Sequence, residues 1–123
     1  MLESVKANRI VELPSVNTLA DGIAVKKPGK LCFEIVKKYV DNIVTVSEEE
    51  IKSAIVTLAT EAKIVAEGAG AASVAALLFN KFPVKDKSNV VCLISGGNID
   101  MSLFRAILNS AKENQDTVSL PFA

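Results

Sequence analysis

The longest regular pattern of apolar residues in this sequence lies between positions 47 and 65. Ser47 and Glu50 stand three residues apart and form a capping box, in which each side chain accepts a hydrogen bond from the other residue's backbone amide. Apolar residues then recur at helical spacing and define one stripe: Ile51, Ala54, Ile55, Leu58, Ala62 and Val65. The pattern predicts an amphipathic helix that begins after Ser47 and buries this stripe.

Three further helices are predicted. One begins at Pro28, because proline fits the first turn of a helix, and its predicted apolar face is the following: Cys32, Ile35, Val36, Tyr39 and Val40. A second helix over 71–82 is rich in small residues that suit close packing, and it follows an interruption at 67–70. A third helix over 100–114 closes the regular part of the chain.

Two short apolar segments have the length of strands. Residues 43–46 are a β-branched run. Residues 90–94 lack polar alternation, which is typical of a strand covered on both faces. Strands that alternate with helices predict an α/β fold with a small, largely parallel sheet flanked by helices.

The chain is expected to be a single unit with three parts. Residues 1–30 form an irregular lead, punctuated by Pro14 and Gly22. Residues 31–114 form the α/β body, and residues 115–123 form a frayed tail. So long an irregular lead is unusual in a compact domain unless it is functional or packs on another segment.

Composition narrows the possible chemistry. The 123 residues include 14 basic and 14 acidic side chains, so the zero net charge argues against a nucleic-acid or membrane-surface partner. Histidine is absent, which excludes a Ser-His-Asp triad, a histidine base and an imidazole-ligated metal. Any chemistry must therefore use carboxylates, lysines, hydroxyls, backbone dipoles or a bound cofactor, and no metal site is expected.

The two cysteines and the N-terminus bear on the compartment. Cys32 and Cys92 are far apart in sequence and have apolar neighbours, so we expect two buried small side chains rather than a redox or metal motif. The mixed polar sequence 1–6 does not resemble a signal peptide. The apolar stretches are too short to span a bilayer, and a cytoplasmic protein is expected.

The sharpest local feature is the turn Ser95-Gly96-Gly97-Asn98 between a predicted strand and a predicted helix. Two successive glycines let the backbone turn sharply and approach a ligand closely. The free amides of the following helix favour anions, so the pattern suggests an anion or phosphate site with Ser95 as a hydroxyl donor. The alternative is an ordinary strand-to-helix connection.

Two acidic residues are further candidates. Glu67 lies among small apolar residues, where burial would oppose its ionisation and suit it to acid chemistry or hydrogen bonding. The alternative is a solvated glutamate at a helix terminus. Asp21 precedes Gly22, and Asp-Gly is chiefly a turn signal.

Four segments in this order resemble the C-terminal part of the pyridoxal-phosphate-dependent threonine dehydratases (threonine ammonia-lyases) of the catabolic type. They are Thr-Leu-Ala-Asp-Gly at 18–22, the segment 40–51, Glu-Gly-Ala-Gly-Ala at 67–71 and the segment 94–100. The resemblance extends to serine racemase and covers nearly the whole chain from Thr18 to about Asp100. It implies a fold type II domain, that of the tryptophan-synthase β-like group.

The resemblance also implies a cofactor and roles. Pyridoxal phosphate is held on a lysine in this family, and threonine or serine loses its β-hydroxyl to give a 2-oxo acid and ammonia. A serine matching Ser95 hydrogen-bonds the pyridine nitrogen, and the glycines matching Gly96 and Gly97 shape that turn. This corrects the phosphate interpretation, because the family places the other end of the cofactor there. The segments matching Asp21-Gly22 and Glu67 approach the same pocket.

The motifs that precede these segments in the family are missing. The sequence has no Ser-x-Lys-x-Arg motif for the cofactor lysine and no glycine-rich phosphate loop, and Ser4-Val5-Lys6 comes at the wrong place in the order. We therefore expect a C-terminal segment of a homo-oligomeric dehydratase, inactive alone because its N-terminal catalytic part is absent. The alternatives are a non-catalytic module that forms homodimers, and part of a serine racemase or another enzyme of the fold group.

Overall fold

The structure, a computed structural model, describes the backbone of residues 1–114 and the side chains of residues 1–111. The predicted tail, 115–123, lies outside the described residues. Five α-helices lie within the described range and are named α1 to α5 in chain order: Leu2–Lys6, Lys30–Tyr39, Glu48–Thr57, Gly68–Leu78 and Met101–Asn114. The lead, predicted to be irregular, thus contains the short α1 and also a 3₁₀ turn at Asp21–Ile23.

Helix α3 begins as predicted and ends earlier than predicted. Ser47 Oγ accepts from the Glu50 amide at 3.2 Å, and Glu50 Oε2 accepts from the Ser47 amide at 2.7 Å, which confirms the capping box. After Thr57 the chain widens into a π-helical turn over Leu58–Ala62. This turn ends at Lys63, whose backbone is left-handed with a φ of 60°. Val65, predicted to be buried, lies beyond the end of the helix and is 48% exposed.

The core lies where α3 packs on α4 and α5. Its buried residues come from these helices, the π turn and two connecting segments: Ala20, Ile51, Ala54, Ile55, Leu58, Ala66, Ala71, Ala75, Phe104 and Ile107. The alanines of α4 allow the helix axes to approach closely, as the small-residue pattern predicted. Helix α4 begins at Gly68, three residues before the predicted start, and none of the helices in residues 1–114 is long and apolar enough to cross a membrane.

The structure corrects the prediction of two strands. Neither 43–46 nor 90–94 is a strand, and residues 1–114 contain no paired strands, so the predicted parallel sheet is not confirmed. Residues 90–94 lie beside α4, where Ser73 Oγ donates to the Leu93 carbonyl at 2.8 Å. A strand requires backbone partners on a neighbouring strand, and none lies beside this segment within residues 1–114. Val91 and Leu93 are 92% and 74% exposed, so the segment is covered on one face only.

The structure also corrects the predicted apolar face of α2. Phe33 is the residue that α2 buries, whereas Ile35 and Tyr39 from the predicted face are exposed. The helix contacts α1, and this short neighbour leaves most of the predicted apolar face of α2 uncovered. Cys32 is exposed and Cys92 is half-buried, so the prediction of two buried cysteines is wrong.

Candidate functional site

The first turn of α4 lies between two other parts of the chain. Residues 67–70 contact the lead at 19–22 on one side and the glycine turn at 95–98 on the other. We call these three segments together the α4 junction. Each of the six predicted site residues belongs to it: Asp21, Gly22, Glu67, Ser95, Gly96 and Gly97.

Glu67 is the residue that joins the glycine turn to α4. Its amide donates to the Gly96 carbonyl at 3.1 Å, and its carboxylate Oε2 accepts from the Asn98 amide at 2.9 Å. Glu67 occupies the N-cap position of α4, yet its side chain makes no capping bond to that helix. It is half-buried, between the buried acid and the solvated glutamate that the sequence left open. Its carboxylate therefore secures the turn instead of the helix.

The glycines of the α4 junction provide space for neighbouring chain segments. A Cβ atom at Gly68 would stand 2.7 Å from the Leu19 carbonyl oxygen, inside van der Waals contact. A Cβ atom at Gly70 would collide with the Gly96 carbonyl and stand 3.0 Å from the Gly96 nitrogen. The two glycines thus admit the lead on one side of α4 and the turn on the other.

The glycines of the other two segments face Glu67 and its neighbourhood. A Cβ atom at Gly96 would stand 2.6 Å from Glu67 Oε1, and one at Gly22 would stand 3.3 Å from the same oxygen. A Cβ atom at Gly97 would stand 2.6 Å from the Val65 carbonyl oxygen. The structure therefore brings Gly22, Glu67 and Gly96 together, while Gly97 packs on the chain that leads into α4.

Asp21 and Ser95 are exposed members of the α4 junction, as are Gly22, Gly97 and Asn98. Asp21 Oδ1 accepts from the Gly22 amide at 2.8 Å, which is the turn role that the Asp-Gly pair indicated. Ser95 stands beside the glycine turn with its side chain exposed. Its hydroxyl can donate a hydrogen bond to a bound molecule.

The lead is attached to α3 by a residue whose role the sequence did not indicate. Glu48 Oε2 accepts from the Leu19 amide at 2.8 Å. The Thr18 hydroxyl, and then this amide, hold the pKa of the Glu48 carboxyl below its ordinary value. By its place in the first turn of α3, Glu48 is expected only to interact with the positive end of the helix dipole. The two donors lie 29 and 30 residues before Glu48 in the sequence. A contact between residues so far apart produces no local sequence pattern that could predict it.

Two open clefts lie elsewhere on the surface, and the second borders the α4 junction at Ala20. One of about 740 Å³ is lined by α1, α2 and residues 40–45, and it includes Lys6 and Lys37. Another of about 380 Å³ lies between the lead, residues 44–46 and α4. Among the described residues no cluster of three or more carboxylates or cysteines could hold a metal ion.

The α4 junction fits one end of an aromatic cofactor better than a whole one. It offers the exposed Ser95 hydroxyl beside a backbone free of side chains at Gly96 and Gly97. A hydroxyl donor next to bare backbone suits the ring nitrogen of pyridoxal phosphate. The three segments contain no lysine that could carry the cofactor aldehyde and no arginine.

Comparisons with known proteins identify the family of the chain. Residues 1–96 match the sequence profile of pyridoxal-phosphate dependent enzymes. An L-threonine ammonia-lyase of Thermotoga maritima is 56% identical over 109 residues, which are 89% of this chain and 27% of that protein. The curated relatives are thus about three to four times as long as the matched part of this chain.

Two solved structures superimpose well. Serine racemase from Dictyostelium discoideum matches with a TM-score of 0.69 and 36% identity, over 81% of this chain and 32% of that one. The processed form of threonine deaminase isoform 2 from Solanum lycopersicum matches with a TM-score of 0.77 and 28% identity, over 91% and 31%. The expected family and fold type II are confirmed, and the chain belongs to the pyridoxal-phosphate dependent enzymes.

Proposed function

We propose that this chain is the C-terminal part of a pyridoxal-phosphate-dependent L-threonine/L-serine dehydratase. Such an enzyme converts threonine to 2-oxobutanoate and ammonia. The observation that carries the proposal is the 56% identity to a protein named L-threonine ammonia-lyase over 89% of this chain. The α4 junction supports it, because it gathers the residues that match the cofactor-facing motifs of that family.

In this proposal, the role of the chain's own residues is to bind and orient the cofactor. Ser95 would donate a hydrogen bond from its hydroxyl to the pyridine nitrogen, while Glu67 fixes the turn through Gly96 and Asn98. When bound, pyridoxal phosphate supplies the electron sink for loss of the substrate Cα proton and the β-hydroxyl. A hydroxyl partner does not promote protonation of the ring nitrogen as a carboxylate would. Ser95 therefore favours elimination over transamination.

We further propose that residues 1–123 are inactive on their own. The Ser4-Val5-Lys6 sequence is unsuited to carry the cofactor. Ser4 is buried and accepts from the Val11 amide at 2.9 Å, and the Lys6 ammonium lies 3.1 Å from Glu3 Oε1 on the exposed side of α1. Neither residue belongs to the α4 junction. The proposal is that the amine is supplied by a Ser-x-Lys-x-Arg motif of the complete enzyme, as in the family that the chain resembles.

The first test is an assay of the purified chain with threonine and pyridoxal phosphate. We expect no 2-oxobutanoate and no visible absorbance from a lysine-bound cofactor. Production of 2-oxobutanoate above a cofactor-only blank would contradict the inactivity proposal. The DNA immediately upstream of the Met1 codon gives an independent check, because it should encode the missing motifs in frame.

The second test is a chimera in which this chain replaces its matched segment in the Thermotoga maritima enzyme. We expect the chimera to convert threonine to 2-oxobutanoate. Ser95→Ala in the chimera should lower kcat, with Ser110→Ala on α5 as a matched serine control. A folded chimera that forms no 2-oxobutanoate from threonine would contradict the dehydratase proposal.

Serine racemisation is a second candidate, supported by the 36% identity to the Dictyostelium discoideum racemase. The chimera distinguishes the two reactions if chiral chromatography follows its action on L-serine. D-serine as the main product would favour a racemase, whereas pyruvate as the main product would favour a dehydratase.

A non-catalytic homodimer is a candidate from a different class. The exposed side chains of Leu31, Val91 and Leu93 support it, since apolar surface in water favours association. Light scattering on the purified chain tests this candidate. A chain that stays monomeric at every protein concentration measured would exclude the homodimer.

A further inference from the structure

Gly70 makes an unusually close backbone contact in the α4 junction. Its Cα faces the peptide of Gly96, so that a Cβ atom at position 70 would collide with the Gly96 carbonyl oxygen. The same Cβ atom would stand 3.0 Å from the Gly96 nitrogen and 3.2 Å from its carbonyl carbon. All three atoms belong to the backbone, so no change of side-chain rotamer can relieve the collision.

Two elements of α4 therefore converge on a single peptide. The Glu67 amide, at the N-cap of α4, donates to the Gly96 carbonyl oxygen at 3.1 Å. The Cβ position of Gly70, one turn later, lies against the same oxygen. A hydrogen bond that pulls the carbonyl towards the helix and a bare Cα that limits its approach together define its position. Ser95 is bonded directly to Gly96, so its position depends on the position of the Gly96 peptide.

We propose that Gly70 is a positioning residue that sets where the Ser95 hydroxyl stands. The inference deepens the proposed function and rests on it, since the position of Ser95 matters only if the hydroxyl faces the cofactor. An added methyl group would need the turn to move away by about 1 Å to restore ordinary contact distances. Hydrogen bonds weaken steeply with such a change in distance and angle.

Gly70 differs in this respect from the other glycines of the α4 junction. The Cβ position of Gly68 faces Leu19 in the lead, away from the turn. The Cβ position of Gly96 faces the Glu67 carboxylate, a side chain that can move. Gly70 is thus the glycine of α4 whose replacement would shift the backbone next to Ser95.

The test uses nuclear magnetic resonance on the 123-residue chain, without cofactor, so its result is independent of enzyme activity. In the unmodified chain we expect a strong nuclear Overhauser effect between a Gly70 Hα and the Gly96 amide. In Gly70→Ala we expect the largest chemical-shift changes at residues 95–98 and loss of protection of the Glu67 amide against hydrogen exchange. Far-ultraviolet circular dichroism should stay unchanged.

The matched control is Gly29→Ala, because a Cβ atom at Gly29 meets nothing within 4 Å. Its chemical-shift changes should stay at the start of α2 and leave residues 95–98 unaffected. Absence of the Gly70–Gly96 Overhauser effect in the unmodified chain would overturn the proposal, whether or not the variant folds. Unaltered Ser95–Asn98 signals in a folded Gly70→Ala would overturn it too. Global unfolding of Gly70→Ala would show a general packing role in place of a positioning one.

If these results are as expected and the chimera nevertheless lacks activity, the proposed function fails and the backbone contact stands. If the chimera is active and the turn does not move in Gly70→Ala, the positioning role fails alone.

Discussion

The α4 junction and helix α2 are built in opposite ways. In the α4 junction, glycines let three chain segments meet at backbone distance, and Glu67 ties two of them together by hydrogen bonds. In α2, Phe33 is buried, but Leu31 is 73% exposed and Tyr39 is 68% exposed. The region without large side chains is closely packed, while the region rich in them is largely uncovered.

This difference shows what each kind of sequence signal can tell. Helical periodicity in α2 correctly predicts a helix, because the period reflects backbone geometry. It does not tell which face finds a neighbour, since that depends on the rest of the fold. A cluster of small residues such as 67–71 carries the complementary information, because glycine and alanine indicate that something approaches closely.

The largest expected effect contrasts a buried isoleucine with an exposed one. Ile55 on α3 is fully buried, and Ile55→Ala should lower the free energy of unfolding by about 3 kcal/mol through lost burial and a cavity. Ile35 on α2 is 48% exposed, so Ile35→Ala should cost less than about 1 kcal/mol. Urea unfolding of both variants measures the difference. Equal losses would mean that α2 packs as firmly as α3.

A smaller loss is expected where glycine provides space. Helix propensity alone would favour alanine at position 68, but its methyl group would meet the backbone of Leu19 and Ala20. Gly68→Ala should therefore destabilise the chain by about 1–3 kcal/mol. Gly29→Ala, next to α2 and in open space, should change stability by only a few tenths as alanine is a poorer N-cap. A stabilising Gly68→Ala would refute the close contact with the lead.

The part of the fold that the sequence predicts is its local part. Ser47 and Glu50 predict the start of α3, because a capping box is completed within four residues. The strands at 43–46 and 90–94 were predicted from composition, yet a strand exists only with a partner that local sequence does not supply. The π turn after Thr57 also escapes prediction, since its sequence continues the α-helical stripe.

The candidate site was predictable in its members but not in its geometry. Gly22, Glu67 and Gly96 were selected from separate motifs, and the structure places them against one another. Their contacts span more than 25 residues of chain, so no spacing rule could have indicated that the Gly22 and Gly96 Cβ positions both face Glu67. The separate roles of Gly68 and Gly70 likewise become visible only with both neighbours in place.

An energetic coupling of about 1 kcal/mol is expected between Gly96 and Glu67. Gly96→Ala places a methyl group against the Glu67 carboxylate, and Glu67→Ala makes room for it. The loss of stability in the double variant should therefore be less than the sum of the two single losses. Urea unfolding of all four chains gives the coupling. Additive losses would mean that the carboxylate does not lie against the turn.

The smallest effect expected is electrostatic and appears as a pH dependence. Hydrogen bonds from the Thr18 hydroxyl and the Leu19 amide lower the pKa of Glu48 in the folded chain. The unfolded chain then binds the proton more readily, so this stabilisation is complete above the ordinary glutamate pKa of about 4.3 and is lost as the pH falls through the folded value.

Glu48→Gln removes the titrating group, so the stability difference between the unmodified chain and this variant should shrink as the pH falls from 6 to about 3. Thr18→Val, which removes the hydroxyl donor to Glu48, should weaken the same pH dependence without abolishing it. Urea unfolding at a series of pH values in constant salt measures both effects. A difference that is constant with pH would mean that the lead is not attached to α3 through the Glu48 carboxylate. The lead would then be held against α4 by packing alone, through the burial of Ala20 and the close contacts at Gly22 and Gly68.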